Sequence, residues 1–285
     1  MDDIRGNTFK GLPFAKGHGT GNDFVIVPDP DGELELSAEL ITTLCDRRRG
    51  IGGDGMLRIV RTAAVPELAT QAGGPDGAEW FMDYRNADGS AAHMCGNGVR
   101  VYARYLVEAG LATGPRVPIL TRAGRVLAEV GEESIAVDMP LPRVYGLSTA
   151  RVGGAEFTGT VATCGNPNLV CWVDDPAGLD LSRVAELDVS TFPDGGNVEF
   201  VAKQAGAGEP GLSVRMRVVE RGVGETLSCG SGACAVAAVV LRDGGRDAGT
   251  VTVDVPGGRL TVTVSEERCV LSGAAVIVAT GYANL

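Results

Sequence analysis

With 285 residues the chain is long enough for one large domain or two of ordinary size, and 44% hydrophobic residues supply a substantial core and exclude global disorder. A formal net charge of −11 excludes a general nucleic-acid binder, which needs a basic surface. No apolar run approaches the ~20 residues that cross a bilayer as a helix, so no membrane partner is expected.

The 42 glycines and the 5% aromatic content favour many short strands and tight turns. Near the start, Asp2, Asp3, Arg5 and Lys10 flank no apolar h-region, so no signal peptide is expected. Apolar runs predict strands at 24–27, 56–60, 79–84, 117–121, 126–130 and 135–139. Ser37 is a good N-cap, and a helix is expected from there to about Arg48. The basic run Arg47-Arg48-Arg49 at its end reads as solvated, or as cations complementing the helix dipole. A second helix is expected from Gly96 to just before Gly110, a suitable C′ residue. Further strands are expected at 161–163, 169–173, 198–201, 212–219, 250–255, 259–264 and 275–279, with a third helix from Gly230 to about Arg242. The turn-rich segment 140–146 is the candidate interdomain connection. The Gly-rich stretches 72–78 and 205–211 read as exposed hairpin loops.

The two halves echo each other. Met94-Cys95-Gly96-Asn97-Gly98 returns as Ser228-Cys229-Gly230-Ser231-Gly232, each opening an expected helix. Asn86 precedes Cys95 by nine positions and Glu220 precedes Cys229 by nine (95 − 86 and 229 − 220), each just after an expected strand. A repeat this long is no solenoid unit. It points to duplication of a whole domain, with one strand–loop–Cys–helix element in each half.

A Cys-Gly-polar-Gly turn at a helix start has a definite chemistry. The first N–H groups have no intrahelical acceptor and carry partial positive charge. Glycines let them approach an anion closely, and the same field lowers the pKa of a cysteine placed there. Two such turns, one on each face of an α-carbon, would hold a carboxylate between Gly96 and Asn97 on one side and Gly230 and Ser231 on the other. One Cys would remove the α-proton as a thiolate, and the other would deliver a proton as a thiol, inverting the centre without metal or pyridoxal phosphate. The remaining cysteines, Cys45, Cys164, Cys171, Cys234 and Cys269, lack this context and read as packing residues. With no CxxC or zinc spacing among the seven, reduced thiols and a cytoplasmic location are expected.

Seven stretches, in order along essentially the whole chain, resemble diaminopimelate epimerase: His18-Gly19-Thr20-Gly21-Asn22-Asp23-Phe24, Tyr84-Arg85-Asn86-Ala87-Asp88-Gly89-Ser90, Met94 to Gly98, Gly165-Asn166-Pro167, Asn197-Val198-Glu199, Glu220 to Thr226 and Cys229 to Gly232. The resemblance implies an α/β (α+β) fold of two pseudo-symmetric domains. Each would be a mostly antiparallel, barrel-like sheet wrapped around a central helix, with the site in the cleft between. Residues 1–139 would form the half carrying Cys95, with strand 272–285 able to return to it, and 140–271 the half carrying Cys229. It implies conversion of LL-2,6-diaminopimelate to the meso form, in lysine and peptidoglycan precursor synthesis, by a cofactor-free homodimer. Cys95 and Cys229 would be the acid–base pair. Asn22, Asn86, Asn166, Asn197, Glu220 and Arg221 would line the substrate pocket, and Gly96, Asn97, Gly230 and Ser231 would hold the reacting carboxylate. Arg221 offers a bidentate fork to the distal carboxylate, while Glu220 and the Asn oxygens accept from ammonium groups.

Two positions depart from the family pattern. Asn168 stands where many members have His after Gly-Asn-Pro, and Gly55 where some have Gln. The pKa balance of the cysteines is therefore expected to differ. His18, one of two histidines, reads as structural. The alternatives are a related racemase of the histidine or proline/hydroxyproline type, or a non-enzymatic amino-acid-binding or thiol-redox protein. Against the proline type, Glu220 and Arg221 with Asn86 and Asn197 suit a second amino-acid group. Against the last, both site cysteines are present.

Overall fold

The computed structural model describes residues 11–71, 78–183, 185–204 and 212–284. The expected loop at 205–211, the expected loop at 72–78 apart from the buried Ala78, and the first ten residues lie outside this set. The chain divides into two compact units. The first comprises the described parts of Met1–Gly19, Asp23–Ile135 and Ala275–Leu285, and the second Thr20–Asn22 and Ala136–Ala274.

In the first unit β1 (Leu12–Gly19) pairs with β18 (Val276–Ala283) antiparallel and with β2 (Asn22–Pro28). From β2 the order runs parallel to β3 (Gly55–Arg61), antiparallel to β4 (Trp80–Asn86), parallel to β5 (Arg116–Thr121) and antiparallel to β6 (Gly124–Val130). Helix α1 (Ala38–Cys45) packs outside on β3. Helix α2 (Gly96–Glu108) packs on β1, β18 and β3 to β6, burying Val99, Val101, Tyr102, Ala103 and Leu106.

The second unit repeats this plan. β9 (Ala155–Cys164) pairs antiparallel with β8 (Arg143–Val152) and with β10 (Asn166–Trp172). β10 runs parallel to β12 (Asn197–Lys203), which is antiparallel to β13 (Ser213–Glu220). β13 is parallel to β15 (Gly249–Val255), which is antiparallel to β16 (Gly258–Val264), itself antiparallel to β17 (Cys269–Gly273). Three short pieces complete the set: β7 (Ile135–Met139), β11 (Glu186–Leu187) on β8, and β14 (Gly224–Thr226) on β13. Helix α3 (Gly230–Asp243) packs on β8, β9, β10, β12, β15, β16 and β17. It is apolar on nearly every face, with ten of its residues buried from Gly230 to Leu241, as a helix enclosed by a sheet must be.

The strands form for ordinary reasons. β15 (GTVTVDV) and β16 (GRLTVTV) point Val and Leu inward and Thr outward with period two. The fold is thus sheet-dominated α+β with a repeated unit, as expected, and the repeat reaches the residue level. Gly55 opposes Asn86, and Asn197 stands one residue before Val198, whose partner Val219 precedes Glu220. Gly55 therefore matches Asn197, Asn86 matches Glu220, and Leu57 matches Glu199.

Two expectations need correction. Arg143 to Gly146, read as part of a turn-rich connection, begin β8. Arg47 is neither merely solvated nor a helix-dipole cation: α1 ends at Cys45, and the Arg47 guanidinium grips both oxygens of Asp23 at 3.0 and 2.6 Å and reaches Asp54 at 2.7 Å. Lys16 adds an ion pair to Asp23 at 2.5 Å. Burial alone would raise the Asp23 pKa, but hydrogen bonds and charge from Arg47 and Lys16 win and hold it well below the usual carboxylate range. A carboxyl depressed on folding contributes stability above its unfolded pKa and loses it as pH falls through the folded value. Asp23→Asn is therefore expected to cost about 1–2 kcal/mol at neutral pH, discounted for solvent around Arg47. Urea unfolding at pH 7 and below pH 3 checks this: the deficit should shrink in acid, and an equal deficit at both would refute the ion-pair account.

Candidate active site

Cys95 and Cys229 are both N-cap residues, of α2 and α3, with extended backbones (φ −142° and −125°). This is the geometry that aims a side chain across the first helical turn. The Cys95 Sγ accepts from the Gly98 N–H at 3.4 Å. Gly96, Asn97 and Gly98 are buried directly behind it, and the Asn97 Oδ1 accepts from the buried Arg100 Nη2 at 2.9 Å. Asn86 closes β4, and its Nδ2 donates to the Ser90 Oγ at 3.0 Å.

In the second unit most of the expected residues join one network. The Asn197 Nδ2 donates to the Cys229 Sγ at 3.8 Å and to the Asn168 Oδ1 at 3.0 Å, while the Asn197 Oδ1 accepts from the Arg221 backbone N–H at 3.0 Å. The Ser231 Oγ lies 3.5 Å from the Cys229 Sγ and 3.5 Å from the Asn166 Nδ2. Ser228, just before Cys229, is buried against the Thr20 Oγ1 at 2.9 Å. Asn22 follows on β2 and groups with this unit.

The side chains of two further expected residues make other contacts. The Glu220 carboxylate accepts from the Thr226 hydroxyl on β14. The exposed Arg221 guanidinium donates from Nη1 to the Asp194 carbonyl at 3.2 Å. The sequence marks Asn168 only as a departure from the family pattern. The structure gives it a place: fully buried, it donates to the Asn166 carbonyl at 2.7 Å and holds Asn197 against Cys229.

The expected lowering of the cysteine pKa does not hold for Cys229. Burial raises it well above the ordinary thiol value, the charges of Glu220 and Glu199 add to that, and the Ser231 hydroxyl and Gly232 N–H offset only part. Desolvation of the charged form and two nearby carboxyls outweigh the helix field. Asn168, unlike a His, can bring no positive charge to relieve it.

A family model described as Diaminopimelate epimerase matches residues 14–144 and 160–285. The chain belongs to the diaminopimelate epimerase family. It is 50% identical to the diaminopimelate epimerase of Thermobifida fusca over 277 residues, covering 96% of this chain and 98% of that protein. It is 46% identical to the diaminopimelate epimerase of Acidothermus cellulolyticus over 308 residues, covering 100% of this chain and 97% of that protein. Among solved structures, a phenazine biosynthesis protein of the PhzF family from Bacillus anthracis aligns with TM-score 0.69 at 17% identity, over 97% of this chain and all of that one. That distance supports a shared fold and no more.

Proposed function

We propose that the protein interconverts LL- and meso-2,6-diaminopimelate by transferring a proton between two thiols, Cys95 and Cys229, on opposite faces of one α-carbon. The observation that carries this reading is the repeated N-capping cysteine. Each unit presents a thiol at the same point of the same plan, over a Gly-rich first turn at a helix N-terminus, whose N–H groups and dipole suit a carboxylate. The names of relatives at 46% and 50% identity over nearly the whole chain support the substrate.

Removing the α-proton builds negative charge onto the adjacent carboxylate, and preorganised N–H donors of Gly96, Asn97, Gly230 and Ser231 would stabilise it. Asn197 would orient the Cys229 thiol, and Asn168 would fix Asn197. Asn22, Asn86, Asn166, Glu220 and Arg221 would bind the amino and carboxylate groups of the substrate. Each thiol would act as the base in one direction of the reaction and as the acid in the other. The reaction would serve lysine and peptidoglycan precursor synthesis. We assign the protein to the cytoplasm and to a homodimer on the family resemblance. No described helix is long and apolar enough to cross a membrane.

Purified, reduced protein is expected to convert LL- to meso-diaminopimelate without added pyridoxal phosphate and with EDTA present, read by chiral chromatography. Inactivity on diaminopimelate with turnover of histidine or proline would move the assignment to a related racemase.

A further inference from the structure

Glu199, on β12, is 0% exposed, and among the described residues neither carboxyl oxygen has a hydrogen-bond partner. A buried polar group left unpaired destabilises a fold, so its retention calls for a reason. Its twin in the first unit is Leu57. A Cβ added to Gly98 would lie 3.5 Å from the Leu57 Cδ2, while one added to Gly232 would lie 2.5 Å from the Glu199 Oε1. Both side chains therefore pack beneath the first turn of their helix. The turn that follows Cys95 rests on a leucine, and the turn that follows Cys229 rests on a carboxyl.

Two residues earlier, Asn197 projects from the same face of β12 and hydrogen-bonds the Cys229 Sγ. Asn197 and Glu199 thus stand side by side toward the start of α3. The titratable groups on the same side as Glu199 are Cys229 on that helix and Glu220 on β13, and Cys171 on β10 lies on the opposite face of the sheet. None of them is a cation.

A leucine fills this room at no electrostatic cost. What a carboxyl adds is the capacity to become negative. We propose that Glu199 is a positioning residue that controls the charge of the Cys229 thiol, so that the two groups ionise against each other. As a neutral acid, Glu199 leaves the positive field at the start of α3 intact. Once ionised, it opposes thiolate formation at Cys229. Burial, and then the charge of Glu220, hold the Glu199 pKa well above the usual carboxylate value, and its charge adds to that of Glu220 on Cys229. Once ionised, Glu199 holds Cys229 in the acid form, a bias that the leucine beneath the Cys95 turn does not impose.

The inference rests on Cys229 being a working thiol, but its test does not use the epimerase reaction. Thiolate ultraviolet absorbance is followed against pH in wild type, Glu199→Gln and Glu199→Leu, as the difference between each protein and the same protein with Cys229→Ala. Gln keeps the shape and polarity of Glu and loses the charge; Leu is the residue of the twin. Cys229 is expected to ionise about one pH unit lower or more in both variants, a tenfold change in acidity, with the matching Cys95→Ala difference unmoved. An unmoved Cys229 titration in folded Glu199→Gln overturns the proposal. So does an equal shift at Cys95, which would report loosened packing in place of a local charge. Failure to epimerise diaminopimelate would sink the proposed function and leave this result standing.

Discussion

Replacing Cys95 or Cys229 by Ala is expected to lower epimerisation by roughly 10²–10⁴-fold, the contribution of a positioned acid–base group. Inversion needs a base on one face of the α-carbon and an acid on the other, so either deletion stops the reaction although the other half remains intact. Each thiol caps its helix from an extended residue, and Ala keeps that backbone geometry open. The loss should therefore appear in kcat with little change in substrate affinity or stability. Cys→Ser should be nearly as damaging, because a hydroxyl is a far weaker base than a thiolate. A single-Cys variant is expected to retain some α-hydrogen exchange in the isomer whose α-hydrogen faces the surviving thiol. A variant within about tenfold of wild type, a loss of only ~1.4 kcal/mol, would refute the two-thiol assignment.

The second large effect is expected at Arg221. Its backbone N–H is tied to Asn197, its stem packs over Gly195, and its guanidinium faces solvent beside the Asp194 carbonyl. A residue anchored at the main chain and exposed at the tip suits a clamp on the distal carboxylate. Arg221→Lys keeps the charge and loses the planar fork. We expect kcat/KM to fall by about 2–3 kcal/mol of transition-state binding, mostly through KM, since the contact is made before and during reaction. Unchanged KM would remove Arg221 from the substrate site.

The repeat and both central helices are legible in the sequence because each is marked locally: a Cys-Gly turn at the start, a helical apolar run behind it and a glycine near the end. β1 is not. Its inward positions include Ala15, Gly17 and Gly19, too small to read as an apolar face, and Lys16 and His18 alternate with them. β8 hides behind Pro140, Pro142 and Gly146, and carries Tyr145 and Leu147 on an exposed face. β17 is only five residues long. The Arg47–Asp23 pair spans 24 residues, and no local pattern announces it. The Cys229 environment is hidden for the same reason. A helix start predicts a field, but the buried carboxyl of Glu199 reaches that turn only through the pairing of strands. Asn168 reads as a missing histidine until the parallel register of β10 and β12 sets it beside Asn197.

The two-thiol mechanism is tested most directly by running LL-diaminopimelate in deuterated water and stopping at low conversion. One thiol takes the substrate proton and the other, equilibrated with solvent, supplies a deuteron. The meso product is therefore predicted to carry deuterium at the inverted carbon in essentially every molecule, while unreacted LL substrate keeps its protium. Product that retains the original α-hydrogen, or deuterium entering the LL pool as fast as meso product forms, would contradict it.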